Sequence, residues 1–350
     1  MSLQFHSLPV RHVERDADAL IVGFGVPPAL RDTFAFAPGQ YLTLRTEVAG
    51  EDLRRSYSIC SGLDDGALRV GIRLLPGGAF SGWAAEHLRE GQTLQVMPPQ
   101  GRFTLTPDPA SQRHVLFIAA GSGITPMLSL IKSLLGREPL TRCTLVYGNR
   151  RVATMMFKDL RDRPLPRFPL LPVFSRETQD APLFNGRLDE ARIAEFLRTL
   201  VPADTVDEAF VCGPAGMLDG AVAALAGAGL AAERIHVERF GDVTAAAAHH
   251  VEEGDADHAR VTLVIDGLAR QVEFRLSDPS ILDAARRTGL DVPYACKAGV
   301  CSTCKGKLLD GQVRMDRNFA LNEAEVAQGF VLCCQAHPTT PSVTITLDER

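Results

Sequence analysis

The stretch CKAGVCSTCKG, residues 296–306, puts three cysteines within nine residues. A disulfide staple, a zinc knot and an iron–sulfur cluster all need thiols that close together. The first of these requires an oxidising compartment. No apolar run approaches the roughly 20 residues a membrane span needs. The N-terminus, MSLQFHSLPVRHVERD, lacks the charged-then-apolar layout of a secretion signal. The expectation is a soluble, cytoplasmic chain whose thiols stay reduced. The eight cysteines are unevenly spread: Cys60, Cys143 and Cys212 are scattered, and five crowd the last 55 residues. Clustered thiols in a reducing compartment point to a metal site.

Working outward, the 350 residues suffice for two or three domains. The net charge of −5 is confined to residues 241–259, where Asp242, Glu252, Glu253, Asp255 and Asp257 stand without a Lys or Arg. Elsewhere acids and bases balance, so no basic patch suggests a nucleic-acid partner. The acidic stretch has no apolar period and reads as a flexible linker, with His249 and His250 part of a solvated tether. Before residue 108, short alternating segments (QYLTLRTE, SYSIC, LRVGIRLL, TLQVMP) are separated by Gly and Pro turns, as in an antiparallel barrel or sandwich. After it, HVLFIAAGSGITPMLSLIKSLL is a buried strand, a glycine turn and a helix, and the alternation continues through CTLVYGNR and EAFVCGPAGML. That pattern predicts a parallel sheet covered by helices. The predicted organisation is 1–107, 108–240, a linker over 241–259, and a mixed α+β block over 260–350.

Cys296, Cys301 and Cys304 form C-x4-C-x2-C, and the next thiols, Cys333 and Cys334, are adjacent in VLCCQA. This is the plant-type [2Fe–2S] spacing. Two irons and two sulfides need four thiolates around a flat rhomb; one loop supplies three and a distant segment the fourth. Small residues (Ala298, Gly299, Ser302) let backbone N–H groups approach the sulfurs. Zinc sites instead pair two short cysteine units. If VLCCQA is a strand, one of its two thiols faces the cluster and the other faces away. The block resembles a plant-type ferredoxin domain, which implies a β-grasp fold, Cys334 as fourth ligand and Cys333 as core packing.

In the middle domain, AAGSGITPM sets Gly121, Gly123, Thr125 and Pro126 between a strand and a helix. Glycines admit a pyrophosphate, and the helix terminus offers free N–H donors. Alone, such a turn is often only a turn. It gains weight from VCGPAGM, where Cys212, Gly213 and Pro214 end another parallel strand. In the first domain, Arg55, Tyr57 and Ser58 form R-x-Y-S: a cation for phosphate, a flat face for a ring, a hydroxyl for a ring nitrogen. Gly77, Gly78 and Ser81 then open a helical stretch.

Together these motifs resemble the ferredoxin–NADP reductase superfamily over about residues 1–240. The resemblance implies that Arg55, Gly78 and Ser81 bind flavin phosphates, that Tyr57 packs on the isoalloxazine, and that Ser58 approaches its reactive nitrogen. It also places Cys212 near the nicotinamide and Phe240, in HVERF, over the flavin. Ser175 and Arg176, in VFSRETQ, match the pair that grips a 2′-phosphate in NADP-using members, and Arg150 could assist. The expected cofactors are FAD, NADPH and a [2Fe–2S] cluster. A nicotinamide delivers two electrons as hydride and a cluster accepts one at a time, so a flavin must stand between them.

At closer range PGQYLTLR, IAAGSGITPML, VYGNR, HVERF and ILDAARRTGLDVPYACKAGVC resemble the reductase subunits of phenylacetyl-CoA epoxygenases. That resemblance implies, as partner, a di-iron oxygenase that epoxidises phenylacetyl-CoA, with no membrane or nucleic-acid partner. Two other readings stay open: a phthalate-dioxygenase-type reductase using FMN and NADH, and a plain [2Fe–2S] electron carrier.

Overall fold

The computed structural model describes residues 4–162, 166–240 and 250–349. They form two compact units, the first of which holds both N-terminal domains.

In the first domain β1 (His6–Asp16), β2 (Ala19–Phe24), β3 (Tyr41–Val48), β4 (Glu51–Ser58), β5 (Leu68–Arg73) and β6 (Thr93–Val96) form one sheet in the order β4-β3-β6-β1-β2-β5. The β1–β2, β1–β6, β2–β5 and β3–β6 pairs are antiparallel. An Ile59↔Val70 bridge joins the end of β4 to β5 and closes the sheet into a barrel. Its interior is apolar, with Leu8, Val22, Leu42, Leu44, Val70 and Ile72 fully buried. Helix α1 (Ala79–His87) follows β5 and inserts Phe80 into this core.

The second domain has β7 (His114–Ala120), β8 (Arg142–Asn149), β9 (Leu170–Phe174), β10 (Glu208–Gly213) and β11 (Ile235–Arg239) in the order β11-β10-β7-β8-β9. All neighbours are parallel. The continuous apolar run in β7 follows from its central place, with helices covering both faces. Those helices are α2 (Ile124–Arg137), the single turn α3 (Asp159–Asp162), α4 (Glu190–Thr199) and α5 (Ala215–Gly227).

The two domains are cross-braced. Ser129 Oγ on α2 donates to Ser61 O (2.6 Å, buried), Lys132 pairs with Asp65 (2.7 Å), and Phe157 N donates to Asp16 Oδ2 (2.6 Å). A Cβ on Gly71 of β5 would stand 2.6 Å from Thr125 Cγ2, so only glycine lets the barrel come this close to α2.

The second unit contains β12 (His258–Ile265), β13 (Leu268–Arg275), α6 (Ile281–Arg287), β14 (Lys305–Asp310), β15 (Val313–Met315), α7 (Glu323–Ala327), β16 (Phe330–Leu332), β17 (Ala336–Pro338) and β18 (Ser342–Thr346). Its main sheet runs β13-β12-β18-β14-β16, and α6 packs over the core with Ile281, Leu282, Ala284 and Ala285. Of the acidic stretch read as a tether, residues 241–249, including Asp242 and His249, lie outside the described residues. The remainder is held on the unit. Arg314 donates to Asp255 (2.6 and 2.7 Å) and to His250 O (2.6 Å), and β12 opens at His258, two residues before the expected boundary. The charge pattern marked the segment as solvated, but the buried Asp255 carboxylate has a guanidinium partner that lies 59 residues away in sequence.

Candidate flavin, nucleotide and cluster sites

On β4, Arg55 is half-buried with Nη1 donating to Arg54 O (2.8 Å), and Ser58 is buried. The Tyr57 ring lies 5.5 Å from Phe80, which lies 5.6 Å from Trp83, the only tryptophan of the chain. Ser81 stitches the preceding loop: its Oγ accepts from Leu75 N (3.2 Å) and donates to Gly78 O (3.4 Å). A Cβ on Gly78 would lie 2.4 Å from Ser81 Oγ. The hydroxyl that sequence assigned to phosphate thus also shapes the loop that would carry it.

Gly121 sits at φ +54°, and its carbonyl accepts from the Tyr147 hydroxyl (2.9 Å). A Cβ there would meet Arg73 Nη1 at 2.3 Å, and one on Gly123 would meet Cys212 O at 2.2 Å. The CGP strand end and the glycine turn are therefore in direct contact. Thr125 and Pro126 are buried in the first turn of α2, and Pro214 precedes α5 beside Gly213.

The helix starts divide by task. Asp189, Ser280 and Asn322 cap α4, α6 and α7 with side-chain hydrogen bonds. The starts of α1, α2 and α5, at Gly78, Gly123 and Pro214, have no side-chain cap. At α2 the Ile124 N–H already donates to Gly121 O and Ser122 O, and at α5 Met217 N donates to Pro214 O (2.9 Å), so an anion would meet the remaining N–H groups of the glycine turn and of Ala215 and Gly216.

Ser175, Arg176 and Arg150 are brought together on neighbouring strand extensions. Ser175 N donates to Asn149 O and Arg176 N to Arg150 O, both at 2.9 Å, and all three side chains are exposed. Cys212 is fully buried, and burial, followed by the nearby Glu238 charge, pushes its thiol well up, so it is a neutral S–H. Phe240 is 38% exposed just past β11.

Sequence reasoning missed two residues here. Glu238 stands opposite Cys212 in the β10–β11 register, and burial pushes its carboxyl up to about 8. Arg73 reaches from the barrel to the glycine turn, anchored by Asp18 (2.8 Å). Glu238 lies two residues before the Phe240 already singled out; Arg73 had no local signal.

The three-cysteine loop is wound through left-handed residues at Lys297 (φ +53°), Gly299 (+74°) and Ser302 (+51°). This turns backbone N–H groups inward, and Ala298 N donates to Cys296 Sγ (3.3 Å). The Cys296 thiol interacts with those of Cys301 and Cys334, and that of Cys334 also with Cys304. Contact with Cys301 and then Cys334 drives Cys296 well below the usual thiol range, while Cys301 and Cys334 are driven up, chiefly by Cys296. Cys301, Cys304 and Cys334 are buried and Cys296 is at the rim. Four gathered thiols with N–H donors aimed at sulfur suit a [2Fe–2S] cluster.

One expectation needs correction. Cys333 and Cys334 are not strand neighbours on opposite faces. β16 ends at Leu332, and residues 333–335 form a tight turn into β17, closed by Gln335 N donating to Leu332 O (2.8 Å). The turn, rather than strand alternation, presents Cys334 to the other thiols, while Cys333 is fully buried in the core.

Comparison with known proteins agrees with this layout. An oxidoreductase FAD-binding domain matches residues 12–105, an oxidoreductase NAD-binding domain 117–223, and a 2Fe-2S iron-sulfur cluster binding domain 263–339. A subunit of the 1,2-phenylacetyl-CoA epoxidase of Escherichia coli K12 is 45% identical over 99% of this chain and 98% of its own. The chain belongs to the ferredoxin–NADP reductase superfamily, in the branch that ends in a 2Fe-2S domain. The ferredoxin reductase component of 3-ketosteroid-9-alpha-monooxygenase from Rhodococcus rhodochrous is 32% identical, covering 95% of this chain and 94% of its own. The solved structure of phthalate dioxygenase reductase shares the fold, with a TM-score of 0.61, 21% identity and 98% of each chain covered. The protein is an NAD(P)H-dependent oxidoreductase that uses FAD, a nicotinamide nucleotide and a [2Fe–2S] cluster for electron transfer. Its relatives are components of multicomponent oxygenases, which supports an oxygenase as partner. Among the described residues no helix is long and apolar enough to cross a membrane.

Proposed function

We propose that this chain is the cytoplasmic reductase that moves electrons from NADPH through FAD and the [2Fe–2S] cluster to a di-iron oxygenase that epoxidises phenylacetyl-CoA. The near end-to-end 45% identity to a component of the Escherichia coli epoxidase carries the choice of oxygenase. The grouping of Arg150, Ser175 and Arg176 supports NADPH.

When bound, the flavin takes a hydride and releases electrons singly, and the cluster accepts them one at a time. The chain's own residues prepare for this. Arg55 and the start of α1 would hold the flavin pyrophosphate, Tyr57 would pack against its ring, Ser58 would offer a hydroxyl to it, and Phe240 would cover it. Gly121 and Gly123 give the nucleotide pyrophosphate access to the start of α2, and Arg73 adds charge there. Arg150, Ser175 and Arg176 hold the 2′-phosphate. Cys212, a buried neutral thiol, and Glu238, whose carboxyl is pushed up to about 8, limit negative charge in the hydride-transfer region. Cys296, Cys301, Cys304 and Cys334 bind the irons.

Reconstitution tests this reading. The purified protein should contain FAD, two irons and two sulfides, reduce ferricyanide with NADPH, and support epoxidation by the oxygenase subunits. FMN together with a preference for NADH would favour the phthalate-dioxygenase type. Failure to use either nucleotide would favour a plain electron carrier.

A further inference from the structure

Gln335 follows Cys334 on the turn between β16 and β17 and is buried. Its Nε2 faces three acceptors: Cys334 O at 2.8 Å, Lys297 O at 3.0 Å and Cys334 Sγ at 3.6 Å. None of the three can donate when Cys334 is a thiolate, so only the NH2 end of the amide can face them; the flipped amide would set Oε1 against three lone-pair atoms. The longer reach to sulfur matches the larger radius of that atom.

The side chain is fixed from several directions. Its Cγ lies 3.3 Å from where a Cβ on Gly299 would stand. Its backbone N–H goes to Leu332 O (2.8 Å), and its carbonyl accepts from Asp316 N (3.0 Å). We infer that Gln335 tunes the reduction potential of the cluster by sharing one of its two N–H groups, as a bifurcated donor, between Cys334 O and Cys334 Sγ, and that its other N–H, to Lys297 O, staples the 296–304 loop to the turn carrying the fourth ligand. This rests on the assignment of Cys334 as a ligand in the proposed function.

The electrostatics give the sign. An added electron places negative charge on the cluster and its sulfurs, and a donor aimed at one of them stabilises the reduced form more than the oxidised form. Most N–H groups around such a cluster come from the backbone and cannot be removed singly. A side-chain donor can change by substitution, which makes this position a natural control on driving force. Gln335 is a positioning residue: it acts through Cys334 and touches no substrate.

Gln335→Met keeps the length and apolar stem but removes both donor hydrogens. In the full-length protein it should retain iron and sulfide, while an anaerobic titration followed by visible circular dichroism shifts the reduction equilibrium roughly tenfold toward the oxidised cluster, about 59 mV lower for one electron. Full cluster content with an unchanged potential would overturn the inference. If the methionine variant binds too little iron to titrate, Gln335→Glu replaces the donor by an oxygen of nearly the same shape. Its potential should fall further, and an unchanged value would overturn the inference equally. A wild-type protein without a [2Fe–2S] spectrum would overturn the proposed function as well, which iron and sulfide analysis registers independently of any potential.

Discussion

Replacing Arg176 by alanine should remove most of the preference for NADPH and leave NADH use almost untouched. The guanidinium is exposed at the end of β9, beside Arg150 on the extension of β8. A hydrogen bond between a guanidinium and a phosphate is charge-assisted and contributes about 1.5–3 kcal/mol. Solvent exposure favours the lower end, because water and salt screen the pair. About 1.5 kcal/mol corresponds to roughly tenfold in apparent affinity. Steady-state reduction of ferricyanide with each nucleotide separates the cases. The variant should raise KM for NADPH about tenfold with kcat little changed, and the wild-type preference should shrink as ionic strength rises. Arg150→Ala should act in the same direction, and the double variant should come close to equal use of the two nucleotides. Undiminished discrimination, or equal loss with both, would refute the role given to Arg176. A wild type that prefers NADH would refute the premise.

Other outcomes follow from the same geometry. Cys334→Ser should abolish or gravely damage the cluster while Cys333→Ser leaves it nearly intact; equal iron loss in both would mean the turn presents the wrong thiol. Glu238 has a folded-state pKa raised from 4.5 to about 8, so the stability tied to its neutral form is fully present below pH 4.5 and is lost as pH rises toward 8. Glu238→Gln should therefore unfold at a higher temperature than wild type, by a gap that widens from pH 5 to 8 and then levels off; a constant gap would contradict the raised carboxyl pKa. A fragment of residues 1–240, which contains both cross-braced domains, should fold, bind flavin and reduce ferricyanide with NADPH, but reduce cytochrome c poorly. An insoluble or flavin-free fragment would refute the boundary.

The division of the chain was legible because each block has its own period: alternation in QYLTLRTE, apolar strand then helix in HVLFIAAGSGITPMLSLIKSLL, and thiol spacing in CKAGVC. These are local signals, set within a few residues by pleat, helix turn and ligand reach. Gly121 and Gly123 were legible for the same reason, although the atoms that demand them, Arg73 Nη1 and Cys212 O, are not. Glu238 and Arg73 were missed because their roles depend on the β10–β11 register and on the seam between two domains. The hold of Arg314 on Asp255 was hidden in the same way, and composition alone made that segment look wholly solvated. The error over Cys333 and Cys334 was one of assumed period: a three-residue turn obeys neither strand nor helix alternation.

Strand β5 touches the glycine turn through Gly71 and Arg73, and the chain then runs directly into Gly77, Gly78 and the start of α1. The two anion-ready sites are thus graduations on one short ruler. Gly71 to Gly78 is seven residues, at most about 25 Å even when fully extended. Neither site can drift without dragging the other. An insertion after Arg73 would leave both candidate phosphate sites chemically intact yet mis-space the rings they would hold, so this segment should tolerate changes of side chain far better than changes of length.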